Sequence, residues 1–226
     1  MSAELPAAPS AKTTRTVSRL WPLVTGSGAL VLVVVGGLLV MARSTAPEID
    51  TEWMAEIVEH RSPVWEVPAL VMNFLGGGWF SIYVVPVLII AAFCLAKRFW
   101  AAGYFAIATV LSVAIVQLLK HLFERARPLD QLVTSDPGSF PSGHVANAAT
   151  MAAVLGIVFW RAWVWAAASV YTVAMMLSRT YLGVHWLTDT LGGLLLAAAV
   201  AVIVWAPLAE RLRHEAKRWA AGNVSA

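Results

Sequence analysis

Between Ser178 and Asp189 the chain reads SRTYLGVHWLTD, which places an arginine, a histidine and an aspartate in the spacing Arg-x5-His-x3-Asp. If the segment around His185 is helical, Asp189 falls one turn further along on the same face. A carboxylate there holds one imidazole N–H and so fixes the tautomer. The other ring nitrogen is left free as a base or nucleophile, and the imidazolium that forms during reaction is stabilised. Arg179 adds a planar fork that matches phosphate oxygens. Taken alone, the stretch also admits a plainer reading, with Asp189 as the N-cap of the next helix and His185 as an interfacial histidine.

Two further blocks lie upstream. Lys120 to Pro128, KHLFERARP, carries Lys-x6-Arg-Pro, and Pro141 to His144 reads PSGH. Lys120 and Arg127 could be terminal basic residues that snorkel to an interface, but snorkelling requires no fixed spacing. Ser142 directly precedes the apolar run Val145 to Trp160 and suits an N-cap. The first N–H groups of that helix then point outward as an anion site, and Gly143 leaves the backbone uncovered. His144 falls in the first turn, where a protonated ring gains nothing from the helix dipole, which argues for a functional role.

With these three blocks in this order, the chain resembles the type 2 phosphatidic acid phosphatase superfamily, whose members share a metal-independent phosphoryl-transfer site. The resemblance spans Lys120 to Asp189 and is complete at every signature position. It implies Lys120, Arg127 and Arg179 as phosphate ligands, and Ser142 and Gly143 as anion-hole donors. It further implies His144 as general acid, His185 as nucleophile and Asp189 as its orienter. The implied reaction is in-line attack of His185 on phosphorus, a phosphohistidine, and hydrolysis by water with His144 acting as base. No Asp/Glu/His cluster near the blocks has the spacing of a divalent metal site, so no metal and no cofactor are expected, and cationic side chains stand in for magnesium. His60, His121 and His214 receive no catalytic role.

The elements that must position these residues are membrane spans. The hydrophobic share is 59%, the mean hydropathy +0.73 and the charged share 13%, which excludes a soluble globular chain. The length of 226 residues holds six spans of roughly 20 residues with short connections. Basic residues sit at the ends of apolar runs and form no stripe, which argues against nucleic acid despite a pI of 9.3. Cys94, the only cysteine, cannot form an internal disulfide.

The fold class expected is therefore all-α and polytopic. A disordered tail is expected over 1–20, a six-span membrane domain over 21–208 and a C-terminal tail over 209–226. Spans are expected over Leu23 to Met41, Trp79 to Ala96, Phe99 to Leu119, Ser142 to Trp160, Ala162 to Ser178 and Thr188 to Leu208. Glu48 to Arg61, with Trp53, Met54, Ile57 and Val58 at helical spacing, reads as a short amphipathic helix on the membrane surface. Gly76-Gly77-Gly78 breaks the long uncharged run from Val67 to Ala96, leaving an interfacial or re-entrant piece before the second span, and Pro86 is a kink candidate. With the N-terminus inside, ten basic residues fall on the inner side and six on the outer, which satisfies the positive-inside rule. Both termini are then cytoplasmic, and all three blocks meet on the outer face of a plasma membrane. Tryptophans near the span ends, Trp53, Trp79, Trp160 and Trp186 among them, suit the aromatic belts.

The function expected is hydrolysis of the terminal phosphate of a lipid phosphate or diphosphate. Undecaprenyl diphosphate is favoured over phosphatidic acid and phosphatidylglycerol phosphate, because the small six-span members that resemble this chain are mostly bacterial. Two alternatives use other chemistry: vanadate-dependent oxidation on the same site, which the spans argue against, and a non-enzymatic membrane protein or transporter, which the intact blocks argue against. Soluble acid phosphatases of the superfamily are excluded by the spans, and the long glucose-6-phosphatase type by chain length. The partners expected are a lipid phosphate and the bilayer, with no nucleic acid.

Overall fold

A computed structural model describes residues 11–43 and 45–224. Among them every regular element is helical: α1 Ala11–Met41, α2 Glu48–Glu59, α3 Pro63–Gly76, α4 Val85–Leu95, α5 Phe99–Phe123, α6 Gly143–Phe159, α7 Ala162–Tyr181 and α8 Leu187–Val224. This is the all-α membrane class that the composition requires. A chain in hydrocarbon has no water to satisfy its backbone, and helices satisfy it internally.

Helices α5, α6 and α8 form the centre. Tyr104, Phe105 and Ala108 of α5 meet Val154 of α6 and Leu196 and Ala201 of α8, and all are fully buried. Alanine is frequent at these contacts, as expected where close backbone approach replaces the hydrophobic effect as the packing force. The Tyr104 hydroxyl, which would be orphaned there, donates to the Ala201 carbonyl at 2.9 Å. Helix α1 lies along α8, and α3 along α7. The outward faces stay apolar, with Val31 and Leu32 of α1, Val110 of α5 and Val170 of α7 all exposed.

Among the described residues three helices are long and apolar enough to cross a membrane: Leu20–Met41, Phe99–Phe123 and Leu187–Ala221. The pair Pro63–Gly76 and Phe80–Leu95 makes a fourth if it is one broken span, and it is bent by 47°. The bend falls at the triple glycine, where the sequence places the break. A π-helical turn, Phe80–Val84, leads directly into α4, and Pro86 sits at the start of α4 rather than kinking its middle.

Helix extends into both segments expected as tails. The backbone is already helical from Ala11, while 1–10 lies outside the described residues. Helix α8 continues to Val224 through a stretch of good helix formers, and it is anchored by Glu215. That carboxylate accepts the backbone N–H groups of Trp100 and Ala101 at 2.7 and 3.1 Å, so it caps α5 from another helix.

Candidate active site

All three sequence blocks arrive at one end of the bundle. Lys120 ends α5, Gly143 and His144 open α6, Arg179 ends α7, and His185 and Asp189 flank the start of α8. His144, His185, Lys120, Arg127, Arg179 and Gly143 line a common cleft of about 540 Å³. Apolar side chains line it too, Phe74, Trp79, Ile82, Tyr83, Val113 and Val116 among them.

His185 is not helical. Gly183 ends α7 with φ +68, and a Cβ there would run into the Asp130 carbonyl. His185 follows in the bend before α8. Asp189 therefore approaches it from the third position of the next helix rather than from one continuous face. Its Oδ2 accepts the Trp186 backbone N–H at 2.8 Å, the acidic half of a capping box. The same oxygen lies 3.5 Å from His185 Nδ1. The capping reading and the orienting reading of Asp189 thus describe one carboxylate.

That separation exceeds a hydrogen bond, and His185 Nδ1 has no hydrogen-bonding partner among the described residues. The ring is 2% exposed. Its pKa is pushed down to about 3, first by burial and further by Arg179 and Arg127, while Asp189 works in the opposite direction. The resting imidazole is neutral, as a nucleophile must be. With Nδ1 facing Asp189, Nε2 faces the cleft, 3.4 Å from Arg127 Nη1.

The three cations have neutral partners. Lys120 Nζ donates to the Gly138 carbonyl at 2.6 Å, and Arg127 Nη2 to the same oxygen at 3.1 Å. Arg127 also donates to the carbonyls of Asp136 and Val184. Arg179 donates to Asn73 Oδ1, its Nε has no partner, and it is 2% exposed. Among the described residues no carboxylate lies within ion-pair distance of any of the three. Three cations held by carbonyls and amides leave their charge for an anion.

Ser142 departs from its expected part in one respect. It occupies the N-cap position of α6, but its backbone N–H donates to the Asp189 carbonyl at 2.9 Å and is not free for an anion. Its hydroxyl makes no capping bond and is buried without a partner. The reason is tertiary: the start of α6 is packed onto the first turn of α8. What remains for an oxyanion is that hydroxyl and the first-turn N–H groups of α6. A Cβ on Gly143 would meet only Val116 Cγ1 at 3.5 Å and Lys120 Cε at 3.9 Å, so the missing side chain keeps the cleft open rather than relieving a clash.

The triple glycine packs on His144. A Cβ on Gly77 would overlap the imidazole, and one on Gly76 would strike Met175. The bend itself is pinned, because Ser81 Oγ and the Tyr171 hydroxyl both donate to the Leu75 carbonyl, at 2.8 and 3.1 Å. Asn147 Nδ2 donates to Ser81 Oγ at 3.2 Å. The break in the helix is thereby fixed at a distance that fits the ring.

Several residues at the site carry no motif. Arg125 Nη1 and Ser139 Oγ both donate to Asp189, and Arg125 Nη2 pairs with Asp50 Oδ2 at 2.7 Å. Asp50 belongs to α2, where helical spacing puts it one turn before Trp53 and Met54 on the apolar side, and it is fully buried. The surface-helix expectation misses this, because it weighs the apolar stripe and not the lone acid within it, which must find a partner once that face packs on α7 and α8. Asn73 was detectable as a lone amide in an uncharged apolar run; Ser139 offered no signal.

The fold and site define a class: an all-helical integral membrane protein with a neutral histidine and three unpaired cations around one cleft. The family model of the PAP2 superfamily matches residues 101–213, half of the chain, and the protein belongs to that superfamily. The chain is 34% identical over 124 residues to "Putative undecaprenyl-diphosphatase YbjG" of Escherichia coli, covering 50% of this chain and 62% of that one. It is 37% identical over 98 residues to phosphatidylglycerophosphatase B of Bacillus subtilis, covering 39% and 48%. The matches thus span less than two thirds of either relative. The crystal structure of a transmembrane PAP2-type phosphatidylglycerolphosphate phosphatase from Bacillus subtilis superposes with a TM-score of 0.73 at 24% identity, over 83% of this chain and 96% of that one.

Proposed function

We propose that the protein is a membrane lipid phosphatase that removes the terminal phosphate of a lipid phosphate or diphosphate. One observation carries this reading: His185 Nε2 faces a cleft shared with three cations that have no carboxylate partner among the described residues, and apolar side chains line the same cleft. A phosphate supplies the missing charge, and a hydrocarbon chain matches the apolar lining. The names of the relatives support undecaprenyl diphosphate and phosphatidylglycerol phosphate as candidate substrates, and undecaprenyl diphosphate remains our first choice.

In this scheme Lys120, Arg127 and Arg179 offset the phosphate charge, and the Ser142 hydroxyl and the N–H of Gly143 hold an oxygen. His185 Nε2 attacks phosphorus in line, the bond to the leaving oxygen breaks, and His144 donates its proton to that oxygen. The product is a phosphohistidine whose Nδ1–H faces the Asp189 carboxylate. Water then attacks phosphorus, gives a proton back to His144, and releases inorganic phosphate and neutral His185. Six crossings follow if α3 and α4 form one broken span and α6 and α7 also cross. The basic-residue asymmetry then puts both termini in the cytoplasm and the cleft on the outer face of the plasma membrane.

The test is phosphate release in detergent from undecaprenyl diphosphate, phosphatidylglycerol phosphate and phosphatidic acid, with and without a chelator. Release that survives chelation, with an acid-labile phosphoenzyme, is expected. Complete loss on chelation with recovery on added magnesium would refute the metal-free scheme. His144→Ala separates the substrates, because a diphosphate expels a weakly basic phosphate whereas the others expel an alkoxide. Single-turnover phosphoenzyme formation should therefore fall far more on phosphatidic acid than on undecaprenyl diphosphate, by up to the hundredfold or more that a general acid typically contributes.

A further inference from the structure

The buried charges around Asp189 extend beyond the histidine. Arg125 is 8% exposed and divides its guanidinium between two fully buried acids: Nη1 donates to Asp189 Oδ1, and Nη2 to Asp50 Oδ2 at 2.7 Å. Asp50 is tied again to α8, accepting the Thr188 backbone N–H at 2.9 Å and its hydroxyl at 2.6 Å. Thr188 Oγ1 in turn accepts from Arg125 Nη1 at 2.9 Å. The ring of Trp186 covers the guanidinium at 5.6 Å from its centroid. Four groups from α2, α8 and the loop after α5 thus form one closed unit.

Its charge does not balance. Two carboxylates and one guanidinium leave the unit itself one net negative charge away from water, offset from outside the unit by the field of Arg127 and Lys120. A purely structural pair would need only one of the acids. The surplus lies beside His185 Nδ1, 3.5 Å from Asp189 Oδ2. That ring is neutral at rest and becomes cationic when Nε2 is phosphorylated.

We infer that Asp50 and Arg125 are positioning residues for the nucleophile. Arg125 holds Asp189 by Oδ1, while Oδ2, which also accepts from the Trp186 N–H and from Ser139 Oγ, faces His185 Nδ1. Asp50 takes the other half of the guanidinium, so that Arg125 does not neutralise the carboxylate that must stabilise the cationic ring. This inference rests on the phosphatase reading and adds a second acid, outside all three sequence blocks, to the parts that set its rate.

The experiment is a double-mutant cycle on the purified protein in detergent, following single-turnover formation of the acid-labile phosphoenzyme. Asp50→Asn keeps the shape of the side chain and an acceptor for the Thr188 N–H. It should slow phosphoenzyme formation by about tenfold, the order expected from removing one nearby charge in a partly screened site. KM and the thermal midpoint should change little. In an Asp189→Asn background the same substitution should cost nothing further, because Asp50 acts through Asp189. Arg125→Lys, a point charge that cannot bridge both acids, provides the second arm should Asp50→Asn fail to fold, and its loss should likewise vanish in the Asp189→Asn background. Unchanged phosphoenzyme formation in Asp50→Asn, or losses that multiply with Asp189→Asn, would overturn the inference while leaving the phosphatase reading intact. A wild-type chain that releases phosphate from none of the three lipids would overturn that reading, and this inference with it.

Discussion

Buried charge occurs at both ends of the bundle, and the two ends handle it differently. At the end away from the cleft, Arg98 is 4% exposed, with Glu215 Oε2 at 3.9 Å and the rings of Phe93, Phe159 and Trp219 within 5.9 Å of its guanidinium. Glu215 in turn caps α5. Cation and anion are one to one, and the aromatic faces supply the rest. At the cleft end Lys120, Arg127 and Arg179 face one another with no carboxylate in ion-pair range, and the one guanidinium paired to acids is outnumbered by them. In the first arrangement the cation faces an acid, although Arg98 Nε, like Arg179 Nε, makes no hydrogen bond among the described residues. In the second the cations have no acid in ion-pair range among the described residues, and under the phosphatase reading that difference marks the end proposed to do chemistry, since unpaired ions in a low-dielectric setting persist only where something else needs them.

Substitutions at the two ends should separate in the same way. The largest effect belongs to His185→Ala, which should abolish phosphate release and the phosphoenzyme together while leaving the detergent-solubilised fold intact by circular dichroism. Next comes Arg179→Met. Loss of a phosphate clamp should lower kcat/KM by about a hundredfold to a thousandfold, on the scale of a lost oxyanion donor, yet the thermal midpoint should rise, because a desolvated and repelled cation has been removed. A fall in the midpoint would show Arg179 to be structural and would break the contrast between the ends.

Gly77→Ala should act through His144. The added methyl overlaps the ring, so a loss of about tenfold in turnover is expected, comparable to modest misplacement of a catalytic group, with KM little altered. Glu215→Gln should do the reverse of Arg179→Met. It leaves Arg98 buried without its acid, at a cost of about 3 kcal/mol in stability, while turnover measured well below the melting range stays within about twofold of wild type.

The last effect is on pH dependence. Because the folded pKa of His185 lies near 3, below the ordinary 6.5, the folded chain resists a proton that the unfolded chain accepts. The stability His185 contributes is then full above about 6.5 and falls with decreasing pH towards 3, by on the order of 1 kcal/mol per pH unit. Unfolding midpoints of wild type and His185→Gln should therefore diverge between pH 7 and pH 4, wild type losing more. Parallel curves would mean that the ring is solvated in the folded protein.

Much of the site was legible because its chemistry is local in type and spacing. Lys120, Arg127, His144, Arg179, His185 and Asp189 stand in three short blocks, and each needed only to reach the same end of a helix. The apolar runs fixed where helices form, since hydrocarbon admits no other backbone arrangement for an open chain. The glycines marked the bend. What the spacing could not tell was whether His185 lay on a helix, because one residue of positive φ at Gly183 decides that.

The sequence by itself determined the helical class, the apolar lengths and the candidates for the reactive groups, because each depends on neighbours a few residues away. Only the tertiary structure decided how those groups are held. Asp50 meets Arg125 across 75 residues, Ser139 meets Asp189 across 50, and Arg179 meets Asn73 across 106. The Ser142 N–H is spent on the Asp189 carbonyl, and the Gly77 bend is fitted to His144. None of these pairs has a periodicity or a spacing to announce it. Each exists because helices packed side by side bring distant positions to the same depth, where an unsatisfied polar group must find a partner or be left for a ligand.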